Sequence, residues 1–122
     1  MNSTFATTLR ALVEQVPGSQ ASLLMGVDGI AVDSYVAQSP ELDPVQAGAE
    51  YAQVLAAARR AAESLEAGEV EELALTTGRG TLLLRLVTPE YFVALALAPG
   101  AQQGRGRFQL RLASLRLAPE LG

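Results

Sequence analysis

Apolar residues recur first at helical spacing and then in alternation, and the chain runs through that order twice before a final segment. The pattern predicts helix, two strands, helix, three strands and a terminal helix. Phe5, Leu9, Leu12, Val13 and Val16 fall on one face of a first helix, capped by Ser3 or Thr4 and stopped by Pro17-Gly18. Ala21 to Val27 and Ile30 to Val36 are rich in Leu, Val and Ile. Asp28-Gly29 between them supplies the positive φ of a tight antiparallel hairpin.

Asp43 and Pro44 read as the N-cap and first position of a second, long helix, which Gly68 ends. On that helix Tyr51, Leu55, Ala58, Ala62 and Leu65 form one stripe, expected to face the core. Val45, Ala49, Ala52 and Ala56 form another, roughly 100° away, so the helix is expected to have two packing partners. Val70 to Thr77, Thr81 to Val87 and Tyr91 to Ala98 are three further strands, joined at Gly78-Arg79-Gly80 and Thr88-Pro89-Glu90. In the last strand Tyr91, Val93, Leu95 and Leu97 alternate with Phe92, Ala94, Ala96 and Ala98, so both faces are apolar and both need cover.

The tail from Gly104 onward fits two periods. Phe108, Leu110 and Leu112 alternate with Arg107, Gln109 and Arg111, yet Phe108, Leu112 and Leu115 also fit a helix, which the length and the Arg-rich flank favour. The result is an α+β fold, a single five-stranded antiparallel sheet with helices on both faces.

With 122 residues, 49% of them apolar, residues 1–122 are expected to form one domain with its own core. Histidine and cysteine are absent, which removes the usual proton shuttle, soft metal ligands and thiol nucleophile. Ser19, Ser22 and Ser34 have no histidine or lysine to activate them, and neither Gly78-Arg79-Gly80 nor Gly104-Arg105-Gly106 has the spacing of a phosphate-binding loop. No enzyme activity, cofactor or metal is therefore expected. A formal charge of −4 works against nucleic acid and anionic membranes as partners. Met1 to Phe5 shows neither the basic segment nor the apolar run of a signal peptide, and Arg85, Thr88, Pro89 and Glu90 interrupt the longest apolar stretches. The expectation is a cytoplasmic protein without membrane insertion.

Val16-Pro17-Gly18, the strand Ala21 to Val27, the turn Asp28-Gly29 and Ile30-Ala31-Val32-Asp33-Ser34 together resemble the start of a Roadblock-type domain. The likeness continues through the Ala-rich second helix, Leu73 to Thr77, Gly78-Arg79-Gly80 and Thr81 to Arg85. That family includes the dynein roadblock light chains and the MglB-like gliding regulators of bacteria. The resemblance implies a profilin-like architecture and a dimer with itself or a paralogue, in which sheets join through the third strand and the second helices pack together. It further implies a platform that binds a small Ras-like GTPase and modulates its nucleotide state by positioning. A scaffold or adaptor of a motility or signalling complex, and a small-molecule sensing module, are the alternatives.

Physical reasoning supports the pairing separately, because an exposed third strand leaves backbone groups unpaired and an alanine stripe leaves apolar surface in water. The expected dimer interface is Val45, Ala49, Ala52 and Ala56 on the second helix with Val70, Leu73 and Leu75 on the third strand. Gln53, Arg59, Arg60 and Glu63, away from the core stripe, are the candidate partner contacts. Arg79 sits where an arginine finger would be offered to a GTPase, although a glycine-flanked turn is too loose for that geometry and a solvated turn residue is the favoured reading. Glu63, Glu66, Glu69, Glu71 and Glu72 lack the spacing of a calcium loop and read as solvated charge. Arg105, Arg107, Arg111 and Arg116 make the tail locally basic, suited to an acidic partner face or to solubility alone.

Overall fold

The computed structural model describes residues 3–37 and 43–122; the side chain of Ser3, one of the two expected helix caps, lies outside the described residues. The elements are α1 (Ser3–Gln15), β1 (Ser19–Gly26), β2 (Ala31–Val36), α2 (Pro44–Ser64), β3 (Glu72–Thr77), β4 (Gly80–Thr88), β5 (Tyr91–Leu97) and α3 (Gln103–Leu121). The five strands form one antiparallel sheet in the order β2-β1-β5-β4-β3. The last strand in the sequence is therefore the middle of the sheet, and β2 and β3 are its two edges.

α1 and α3 cover one face. Leu9, Leu12, Val13 and Val16 of α1 meet Leu24, Leu83, Val93, Leu95 and Leu97 of the sheet and Leu110, Ala113 and Leu117 of α3, all buried. Val93, Leu95 and Leu97 of β5 thus point to the side that has two helices to fill. The small residues Ala94 and Ala96 point to the other side, covered among the described helices by α2, where Phe92, Met25, Leu84, Tyr51 and Leu55 make a second buried cluster. Gly48 lets α2 approach β1, because a Cβ there would run into the Leu23 and Met25 side chains.

α1 stops before Pro17, which cannot continue a helix. The Ser19 hydroxyl then lies 2.8 Å from the Val13 carbonyl and 2.6 Å from the Val16 carbonyl, adding a donor to acceptors that also take the Val16 and Ser19 N–H groups. Ser22 likewise donates to the Leu9 carbonyl across 2.7 Å, so both hydroxyls serve α1. The hairpin β1–β2 has a three-residue loop: Gly29 N–H donates to Gly26 O, Gly26 N–H donates to Ile30 O, and among these residues only Gly29 takes a positive φ, +88°. This is a turn followed by a left-handed glycine, with Asp28 Oδ1 accepting the Ile30 N–H. Ile30, expected in the strand, precedes it and is 68% exposed.

α2 begins as expected, with Asp43 Oδ1 accepting from the Val45 and Gln46 N–H groups and Pro44 in the first turn. Its end differs. The helix stops at Ser64, ahead of Gly68, because Glu66 takes the left-handed conformation (φ +52°) and the Ala67 N–H turns back to the Ala62 carbonyl. Leu65 consequently sits in the cap, 76% exposed, instead of continuing the core stripe, and Ala58 and Ala62 are only half-buried.

β3 begins at Glu72, two residues later than Val70, although the Glu71 carbonyl already accepts from Leu86 N–H. The tail is helical, as favoured, but with its faces exchanged. Gly106, Leu110, Ala113 and Leu117 turn inward, whereas Phe108 and Leu115, the residues that suggested the helix, are 58% and 65% exposed. Gly106 sets that choice by admitting α3 close to the sheet, where a Cβ would lie 3.0 Å from a Leu83 methyl.

Candidate protein-interaction surface

The two sheet edges are unlike each other. β2 pairs with β1 across a bulge at Leu24/Met25, and on β2 the Asp33 carboxylate accepts the neighbouring Ser34 N–H at 2.8 Å. A bulge and a side chain occupying backbone donors are the features that blunt an edge against further strands. β3 has neither: its register against β4 runs without a shift from Glu72↔Arg85 to Thr77↔Gly80. Leu73 and Leu75 project to the α2 side of the sheet beside Leu84 and Leu82, Leu73 half-buried and Leu75 42% exposed. Val70, half-buried, packs against the same cluster just ahead of the strand.

The α2 residues expected to meet a partner copy divide. Val45 is 47% exposed, Ala56 is exposed and Ala49 half-buried, along one flank of the helix. Ala52, only 6% exposed, turns into the protomer's own core beside Tyr51 and Leu55, because the inward side of α2 falls between the two expected stripes. Gln53, Arg60 and Glu63 are exposed; Gln53 and Arg60, seven residues apart, share the side opposite the core. Arg59 is half-buried and donates from a guanidinium nitrogen to the Pro89 carbonyl at 2.8 Å, so it holds α2 against the β4–β5 turn. Val54, 44% exposed on α2, belongs to neither apolar stripe, so periodicity does not pick it out.

An open groove of about 980 Å³ separates the end of α2 from the end of β4. Val70, Leu86 and Val87 line it, and Glu63, Glu66, Glu69 and Glu71 give it acidic character. Glu72 stands apart, its oxygens 3.4 Å from Arg85 and 3.7 Å from Arg107. Among the described residues no three acids converge closely enough to hold a metal ion. A smaller space, about 40 Å³, lies under α2 between Gly48, Tyr51, Leu82 and Ala96. That is far below the several hundred Å³ of a usual ligand cavity.

Arg79 is exposed at the β3–β4 turn, and the turn is organised: its N–H donates to Thr77 Oγ1 at 3.1 Å, and that hydroxyl lies 3.3 Å from the Gly80 carbonyl. Gly80 is needed there, with φ +138° and a Cβ direction that points into the Leu97 carbonyl. Among the described residues no helix is long and apolar enough to cross a membrane.

Residues 5–96 match the family model of the Roadblock/LC7 domain. MglC from Myxococcus xanthus has 40% identity, with 96% of this chain and 98% of that one aligned and a TM-score of 0.70. The gliding protein MglB from Thermus thermophilus superposes with a TM-score of 0.87 at 19% identity, covering 96% and 87% of the two chains. A Roadblock/LC7 domain from Streptomyces avermitilis gives 0.85 at 17% identity, covering 94% and 95%. No curated protein matches. On its sequence match and its fold alike, this chain belongs to the Roadblock/LC7 domain family.

Proposed function

We propose that residues 1–122 act as one cytoplasmic domain, that two copies join through their β3 edges with the α2 flanks side by side, and that the joined surface binds a small Ras-like GTPase. The observation that carries this reading is the unguarded β3 edge with Leu75 open beside it, facing the same side as the exposed Val45 and Ala56. An edge strand that offers free backbone groups and apolar side chains is completed by a copy of itself across a twofold axis. Gln53 and Arg60 then remain outward on the paired helices as partner contacts, Glu63 stands at the end of the pairing flank one heptad beyond Ala56, and Arg59 contributes position through Pro89.

The platform alters the GTPase's nucleotide state by holding the partner's own catalytic groups in place, a preorganisation effect that needs no acid, base or nucleophile from this chain. Light scattering on the purified protein tests the first half: a dimer mass is expected, and a monomer at all accessible concentrations overturns the pairing. Phosphate release from GTP by a purified small Ras-like GTPase, with and without the chain, tests the second. Unchanged hydrolysis with retained binding selects the scaffold reading.

A further inference from the structure

Four of the chain's nine arginines lie on α3, at positions 105, 107, 111 and 116, against a single acid, Glu120. Two of the four are engaged: Arg105 Nε donates to the Gln15 carbonyl at 2.7 Å, closing the end of α1, and Arg107 lies 3.7 Å from Glu72. Arg111 and Arg116 are exposed and make no ion pair among the described residues. Between them runs an apolar line on the side of α3 turned away from the core, formed by Phe108, Leu112, Leu115 and Pro119. The spacing of four, three and four residues is that of the a and d positions of a coiled-coil seam. Arg111 and Arg116 then occupy the g and e positions, which set the charge of the helix such a seam accepts.

We propose that the outer face of α3 docks an amphipathic α-helix of a partner protein whose seam is flanked by Asp or Glu. Phe108 and Leu115, 58% and 65% exposed, supply the anchors, and the flanking guanidiniums select the acidic flanks. A second copy's α3 is the wrong occupant, because it would set Arg111 and Arg116 against like charges. An anionic bilayer is disfavoured by the rest of the chain, which holds twelve of the thirteen acids and five arginines. This surface lies across the sheet from α2, so it is independent of the pairing and GTPase reading.

The test uses the full chain and two designed helical peptides with leucine at a and d, one carrying glutamate and the other lysine at e and g. By fluorescence anisotropy the glutamate peptide is expected to bind at least about tenfold more tightly than the lysine peptide, the scale of a few matched charges. The double variant R111E/R116E reverses that preference, and Phe108→Ser with Leu115→Ser abolishes binding of both. All four side chains are exposed, so the thermal midpoint should stay in place. No binding, equal binding of the two peptides, or a preference that R111E/R116E leaves unchanged overturns the proposal. Cosedimentation with phosphatidylserine vesicles that R111E/R116E abolishes also overturns it and assigns the face to lipid.

Discussion

The Tyr51 hydroxyl of α2 donates to the Leu82 carbonyl of β4 across 2.8 Å, joining the lone helix on its side of the sheet to the strand that supports β3. The ring is 4% exposed, and burial pushes the phenol pKa up from 10.0 to about 12. Tyr51→Phe keeps the ring contacts and removes the bond, so a loss of roughly 1–2 kcal/mol in urea unfolding is expected.

The same group makes stability depend on alkaline pH. Because the folded pKa lies above the unfolded one, the contribution is complete below pH 10 and is lost as pH rises towards about 12, where the unfolded chain ionises first. Over that window wild type should lose stability that Tyr51→Phe does not lose. Thermal midpoints of both proteins at stepped alkaline pH check the difference; parallel curves would show that Tyr51 does not carry it.

Gly78 and Gly80 flank the same arginine and should respond unequally to alanine. At Gly80 the added Cβ meets the Leu97 backbone carbonyl at φ +138°, so backbone must move and a loss of about 2 kcal/mol or more is expected. At Gly78 nothing lies within 4 Å and Ala should cost under about 0.5 kcal/mol. Denaturant midpoints of the two variants decide.

Much of this architecture is legible in the sequence because period and punctuation report local structure. Asp43-Pro44 starts α2, Pro17-Gly18 separates α1 from β1, and the alternation of Val93, Leu95 and Leu97 with Ala94 and Ala96 shows a β5 covered on both faces. The errors lie where tertiary packing chooses between similar local options. On α3 both sides are apolar, and the close approach permitted by Gly106 decides which goes inward, a distance no single-chain pattern encodes. Ala52 reads as part of the second stripe, and the seat of α2 on Met25 and Phe92 turns it into the core. The open third strand follows from the family resemblance and not from periodicity, and the guarding of β2 by Asp33 shows only once strand order is known.

Leu75→Arg places charge on the open edge without entering the protomer core, since Leu75 is 42% exposed. If pairing uses β3, this variant should be a monomer by light scattering and its midpoint should no longer rise with protein concentration, as the wild type's should. A Leu75→Arg dimer indistinguishable from wild type would count against β3 as the seam.

Arg60→Glu and Arg79→Ala separate two roles. Under the positioning reading, Arg60→Glu weakens GTPase binding in a pull-down, because Arg60 is exposed on α2 opposite its buried side. Arg79→Ala leaves stimulated hydrolysis within about twofold, whereas an arginine finger would lose a thousandfold or more.

Because the strand made last occupies the middle of the sheet, the order of synthesis opposes the order of assembly. The hairpin of β1 and β2 leaves the ribosome with the inner border of β1 open, and it waits for Tyr91–Leu97 to fill the gap beside it. Long-range pairings of this kind slow folding and expose strands to wrong neighbours. A message truncated just after Thr88 therefore yields two disconnected hairpins and no nucleus common to both.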